Sequence, residues 1–220
     1  MHKTSLISAI VLAALATSAY EIEKKFQPYV DYDGDGCYNT AAIDPNGKVN
    51  HSHDSTGTPG SHCHNPPLLY KSNTYSRRRC NNGYCAVMYE YYFEKDQAVS
   101  GSFLGGYKDD WENVVFAKGN AVVHVAPRAV AVTLVPLTMP RSAAPPTQCS
   151  DDIANPENDS GHFYESLLVG WNLWPSLELK NKMLSAFTGG ISPKLDSEFG
   201  DTLKNAAGDN VPRFDPYLAA

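Results

Sequence analysis

What this chain has little of narrows what it can be. Basic residues are outnumbered, 18 Lys and Arg against 24 Asp and Glu, for a net charge of −6. Nucleic-acid binding calls for a basic patch, and a simple electrostatic grip on anionic lipid needs basic clusters, so both are disfavoured. Long apolar runs are missing. The only sustained one, Leu6–Leu15, is too short to cross a bilayer, so an integral membrane protein is not expected. There is no nucleophile elbow and no zinc-protease His pair, which removes the sequence grounds for two common hydrolase chemistries. Cysteines are few and odd in number, at 37, 63, 80, 85 and 149.

What is present begins with Lys3, the apolar run and Thr17-Ser18-Ala19. This reads as a secretory signal peptide over residues 1–19, cleaved after Ala19. The remainder, 20–220, is long enough for one domain with a substantial core. An extracellular destination permits disulfides. Cys80 and Cys85 bracket Asn-Asn-Gly, a turn signal, so a local bridge is geometrically reasonable. The sequons at Asn50 and Asn158 are glycosylation candidates in a secreted protein.

From Cys80 onward β-formers dominate. Tyr84–Phe93, Glu112–Ala117, Ala121–Ala126 and Ala129–Leu137 read as strands broken by Gly and Pro. Frequent short strands of this kind predict an antiparallel β-sandwich. Leu177–Ser185 and Ser197–Ala207 read as flanking helices, with Ser176 and Gly208 as caps. The expected class is therefore mainly β with flanking helices, an α+β domain. Trp171 and Trp174 are expected to pack in the core.

The stretch richest in chemistry is Gly83–Glu112, which carries Asp96, Asp109, Asp110 and Glu112. On an extended chain Asp110 and Glu112 point to one face, with Asp109 and Trp111 on the other. Asp96 ends the preceding strand, so a hairpin-like return would bring it toward Asp110 and Glu112. Oxygen ligands on neighbouring strand ends suit Mg²⁺ or Ca²⁺; a solvated acidic hairpin tip fits the same spacing. Asp31–Gly36 begins like a calcium loop, but Ala42 stands where a bidentate Glu is needed, so a turn is the better reading. His51, His53, His62 and His64 surround Cys63 in a polar loop and suggest either a Zn²⁺ or Cu²⁺ site or exposed histidines without a role; the second is preferred.

Motifs along most of the mature length resemble one family. They are FQPYVDYDGDGCYNTAAIDPNG at Phe26–Gly47, SNTYSRRRC at Ser72–Cys80 and AVMYEYYFEKD followed by GYKDDWE. Further on come ENDSGHFYESLLVGWNLWPS at Glu157–Ser176 and LDSEFGDTLKNA at Leu195–Ala206. In this order they resemble the necrosis- and ethylene-inducing-peptide-like proteins, secreted microbial cytolysins of plants. The resemblance implies a sandwich similar to actinoporins and fungal lectins. It also implies a Cys37–Cys63 disulfide, with Cys80–Cys85 as the extra pair of the family's second type. Cys149 is then left without a mate.

The resemblance further implies a divalent cation (Mg²⁺ or Ca²⁺) held by Asp96, Asp110 and Glu112. It implies docking on the sugar headgroups of plant glycosylinositol phosphorylceramide sphingolipids, then membrane damage. Two departures bear on this. The family signature has histidines where Tyr107 and Asp109 stand, so these two are expected beside an ion rather than as its ligands. Arg128–Gln148 lacks the family's Ser-x-His-Gly element and reads as a divergent strand and loop or as a gene-model error. The expected function is a secreted toxin-like effector of reduced activity. Alternatives are a non-cytolytic binding module or elicitor sensed by a plant immune receptor, and a carbohydrate-active enzyme using paired carboxylates.

Overall fold

The computed structural model describes residues 20–32, 36–97, 100–101, 106–118, 122–127, 132–135 and 163–218. The signal-peptide reading, Asp33 to Asp35 of the calcium-like loop, Cys149, Asn158 and most of 128–148 lie outside them. A helix α1 spans residues 20–25. Then follow β1 (Tyr29–Tyr32), α2 (Pro66–Leu69), β2 (Asn73–Asn81), β3 (Tyr84–Asp96), β4 (Tyr107–Lys118), β5 (Val122–Pro127) and β6 (Val132–Val135). The chain closes with β7 (Leu167–Gly170), α3 (Leu177–Ala186) and α4 (Phe199–Ala207).

Five strands form one sheet in the order β5-β4-β3-β2-β7, and β1 pairs with β6 in a second. All pairings are antiparallel except β2 with β7, which is parallel. β3 is buried on both faces. On one side Val87, Tyr89, Tyr91 and Phe93 meet Val30 and Tyr32 of the second sheet. On the other Met88 and Tyr92 meet Met183 of α3, Phe187 just past its end, and Phe199 and Leu203 of α4. That makes a mainly β sandwich with flanking helices. The central strand is apolar on both faces because two layers cover it.

Both helix caps are where the sequence puts them. The Ser176 hydroxyl accepts from the Leu179 N–H at 3.0 Å. Gly208 ends α4 at φ 47°, in the left-handed region that glycine enters without a Cβ penalty. The strands β1, β2 and β7 carry no comparable signal. β2 reads Asn-Thr-Tyr-Ser-Arg-Arg-Arg-Cys-Asn and lacks apolar alternation. Its Arg77 is nonetheless enclosed, with the guanidinium 4.3 Å from the Trp171 ring and 4.4 Å from that of Phe199. Stacking on two aromatic faces takes the place of an apolar side chain there.

Trp171 and Trp174, expected in the core, are partly buried and pack against its margin: Trp174 stacks on Tyr75 at 5.6 Å and 15°, and Lys180 lies 4.2 Å over Trp171. α1 seats a buried carboxylate. Glu23 accepts from the Ser76 hydroxyl at 2.7 Å, and its backbone carbonyl accepts from Tyr89 Oη at 2.6 Å. Burial raises the Glu23 pKa, opposed by Ser76 and by the charge of Arg78. A carboxyl with a raised folded pKa holds its proton longer in the native state than in the unfolded chain. Its contribution is therefore fully present below the unfolded pKa, about 4.3, and declines as pH rises through the folded value. Glu23→Gln is expected to be more stable than the parent at neutral pH and to flatten this decline. Urea unfolding at several pH values checks it, and parallel curves would refute it.

Candidate functional site

The acidic hairpin is built by β3 and β4. Antiparallel register sets Asp96 opposite Tyr107, Phe93 opposite Asp110, Tyr92 opposite Trp111 and Tyr91 opposite Glu112. Pleat alternation puts Asp110 and Glu112 on the face of Phe93 and Tyr91, and Asp109 and Trp111 on the other, as their spacing predicts. Asp96 does end β3, but it lies three rungs beyond Phe93, roughly 10 Å along the strand, and on the opposite face by alternation. The hairpin return thus sets Asp96 beside Tyr107, not beside Asp110 and Glu112.

Among the described residues, no three His, Cys, Asp or Glu side chains stand close enough to hold a metal ion. Asp96, Asp110 and Glu112 are therefore not brought together as one three-carboxylate donor set. The pKa of the Asp96 carboxyl is raised by burial, opposed by the Gln97 backbone hydrogen bond. Tyr107, which stands for the family's first histidine, is 61% exposed and would offer only a neutral phenol.

Asp109 has a definite task. It takes φ 39°, a left-handed conformation that Asp tolerates better than most residues, and its Oδ1 accepts from Tyr92 Oη at 2.6 Å. Burial, helped by this hydrogen bond, pushes the Tyr92 phenol far above its usual range. Asp109 is therefore turned toward the aromatic core under Trp111. The Tyr92–Asp109 pairing has no local sequence signal, because it joins two strands.

The histidine loop meets the same hairpin end. His53 Nε2 lies 3.2 Å from Glu94 Oε2, and Asp54 pairs with Lys108. His64 Nδ1 donates to the Gly36 carbonyl at 2.6 Å. That leaves Nε2 of the neutral ring to accept from the Tyr38 hydroxyl at 2.8 Å. His64 thus has a structural role, contrary to the reading of all four as idle. His51 and His62 are exposed. Cys63 bonds to Cys37, and Cys80 to Cys85, as both pairings require. Asn50 Nδ2, where a glycan would attach, donates to the Ala41 carbonyl at 3.1 Å. A glycan there would replace one of the two Nδ2 hydrogens and leave a single N–H for that bond.

Sequence reasoning missed Lys95, His53 and Asp54 as parts of this surface. Lys beside Asp at a strand end reads as solvated, yet Lys95 is 2% exposed. A cavity of about 390 Å³ lies elsewhere, lined by Lys204, Val211, Phe214 and Tyr217 among others. Asn81 and Asn82 tie its tail to the β2–β3 turn, which sets it at the opposite end of β3 from the acidic hairpin. No described helix is long and apolar enough to cross a membrane.

Comparisons with known proteins place this geometry. A family model described as necrosis inducing protein (NPP1) matches residues 20–206. NLP effector protein 8 of Plasmopara viticola is 28% identical over 206 residues, covering 84% of this chain and 80% of that protein. Necrosis-inducing protein NPP1 of Phytophthora nicotianae is 36% identical over 91 residues, 41% of this chain and 36% of that protein. NLP effector protein 10 of Phytophthora capsici is matched over 39% of its length, so the chain spans well under half of these last two relatives. Among solved structures, NLPPya in complex with mannosamine matches at TM-score 0.61 and 22% identity, over 86% of this chain and 90% of that one. The crystal structure of the non-toxic HaNLP3 protein matches at 0.60 and 22%, over 84% and 90%. At that identity these structures establish the fold alone.

Proposed function

The chain belongs to the necrosis inducing protein family, and on that premise we propose that it is a secreted, non-enzymatic effector that binds sugar headgroups at the plant cell surface with little or no cytolysis. The observation that carries this is the hairpin end. Asp96 stands apart from Asp110 and Glu112, and Asp109 is committed to Tyr92. The family's cation-centred docking set, here Asp96, Asp110 and Glu112, is not gathered, so no step is routed through Mg²⁺ or Ca²⁺. Recognition then rests on the exposed Tyr107 and the polar rim around it. A tyrosine ring offers a flat apolar face to a sugar and a hydroxyl at its edge, which suits weak glycan contact.

Support comes from the family and from structural neighbours, one solved with mannosamine, another with glucosamine and a third described as non-toxic. The residues before Tyr20, read as a signal peptide, support secretion. The favoured ligand is the sugar headgroup of glycosylinositol phosphorylceramide. A second role, as an elicitor read by a plant immune receptor, meets one constraint. Ala86–Phe93 of the AVMYEYYFEKD segment is buried in the central strand, so a receptor for that peptide would meet it only after proteolysis.

The test is dye release from vesicles containing this plant sphingolipid, at micromolar protein, beside a direct glycan-binding assay on the same sample. Binding with no release above buffer is expected. Release that stops in Asp110→Ala would instead establish the cytolytic reading. Turnover of plant cell-wall glycans would establish an enzyme.

A further inference from the structure

We propose that Lys95 serves as a built-in cation, ordering the loop that walls the acidic hairpin end with a fixed ammonium rather than a bound metal ion. The inference rests on the reading of that hairpin end as the recognition surface. Lys95 Nζ is surrounded by four neutral oxygens. They are Thr56 O at 3.2 Å, Thr58 O at 2.9 Å, Ser61 Oγ at 2.9 Å and Gln97 Oε1 at 3.0 Å. No described ion pair includes it. A buried ammonium without a carboxylate is costly, and the cost is offset only if every proton finds an acceptor. Here carbonyl and hydroxyl oxygens from one short loop converge on it, the same hard donors that a metal ion would take. Burial pulls its pKa down, as desolvation without a counter-ion must.

The loop so held is the wall of the site. Gln97 Nε2 donates to the Gly57 carbonyl at 2.9 Å, and the Gly101 N–H to the same carbonyl at 2.7 Å. The His53 N–H donates to the Glu94 carbonyl at 2.9 Å. A Cβ at Gly106, next to Tyr107, would stand 2.9 Å from Ser55 Cβ and 2.5 Å from the Asp96 carbonyl, so loop and hairpin are in close contact. Lys108, opposite Lys95 in register, reaches outward to Asp54 and is 61% exposed. An exposed pair of that kind is worth little, so the loop's order depends on the buried lysine.

Hydrogen exchange on the full chain, read over residues 55–61, tests this. Lys95→Met is expected to speed exchange there by about tenfold or more while amides around Trp111 keep their protection. Ser61→Ala should give a smaller loss, and Lys108→Ala none. Millimolar EDTA, Mg²⁺ or Ca²⁺ should leave the unsubstituted chain unchanged. Undiminished protection in Lys95→Met, or a tenfold gain in protection on adding either cation, would overturn the proposal. If Lys95→Met does not fold, Ser61→Ala and the chelator arm decide it. A failed glycan-binding assay with the exchange pattern intact would sink the functional reading alone.

Discussion

Trp111→Ala is expected to lose about 3–5 kcal/mol of stability, the range for emptying a large aromatic site. The indole is 7% exposed. The rings of Tyr75, Tyr92 and Phe187 lie at 5.5, 5.3 and 5.4 Å, the last edge-on. Those neighbours come from β2, β3 and the end of α3, so the void would open where sheet meets helix and could not collapse by moving one element. For a domain of this size the loss corresponds to a fall in Tm of roughly 6–20 °C. Trp111 Nε1 is buried without a hydrogen-bond partner among the described residues. Trp111→Phe removes that orphaned donor, worth about 1–3 kcal/mol, and should therefore cost much less than its lost volume implies. Calorimetry on the two variants checks this. A loss under about 1 kcal/mol for the alanine would mean that the aromatic cluster is not the joint described.

Removing the Cys37–Cys63 bridge as a double serine variant should cost about 3.5 kcal/mol. It closes a separation of 26 residues, and loop-closure entropy in the unfolded chain grows with the logarithm of that length. Cys80–Cys85, five apart, should cost only about 2 kcal/mol by the same relation. The first loss would also be felt at the candidate site. The long loop carries His53, Asp54, Thr56, Thr58 and Ser61, and Cys63 is fully buried at its end. Urea midpoints of the two double variants decide the matter, and the reverse order of losses would refute the account.

Much of the β core could be read directly. Val87–Phe93 is a run of strand formers, and it became the interior of the central strand. Ser176 and Gly208 marked helix ends because capping is local chemistry, settled within one turn. β2 and β7 stayed hidden because their strand character comes from neighbours: Arg77 is held by Trp171 and Phe199, and Leu167–Gly170 pairs with β2 in parallel across a long separation.

The candidate site was legible as composition and not as geometry. Asp96, Asp110 and Glu112 stand out as acids near strand ends. Whether they meet depends on register, and register is a property of two strands together. Here it carries Asp96 past Phe93 to Tyr107. The likeness of Lys95 and Lys108 in the sequence is equally uninformative, since one is buried and the other exposed only after the loop has folded over the hairpin.

Residue order alone determined the family, the β-rich class, the local Cys80–Cys85 bridge and the loss of the signature histidines, because these reside in identity, spacing and local turn chemistry; the Cys37–Cys63 pairing came from the family resemblance and was borne out by the fold. Only the folded chain decided which acids are neighbours, which tyrosine Asp109 holds and which lysine is enclosed. Those outcomes depend on pairing between segments tens of residues apart. There burial and hydrogen-bond satisfaction, rather than local preference, set the free energy.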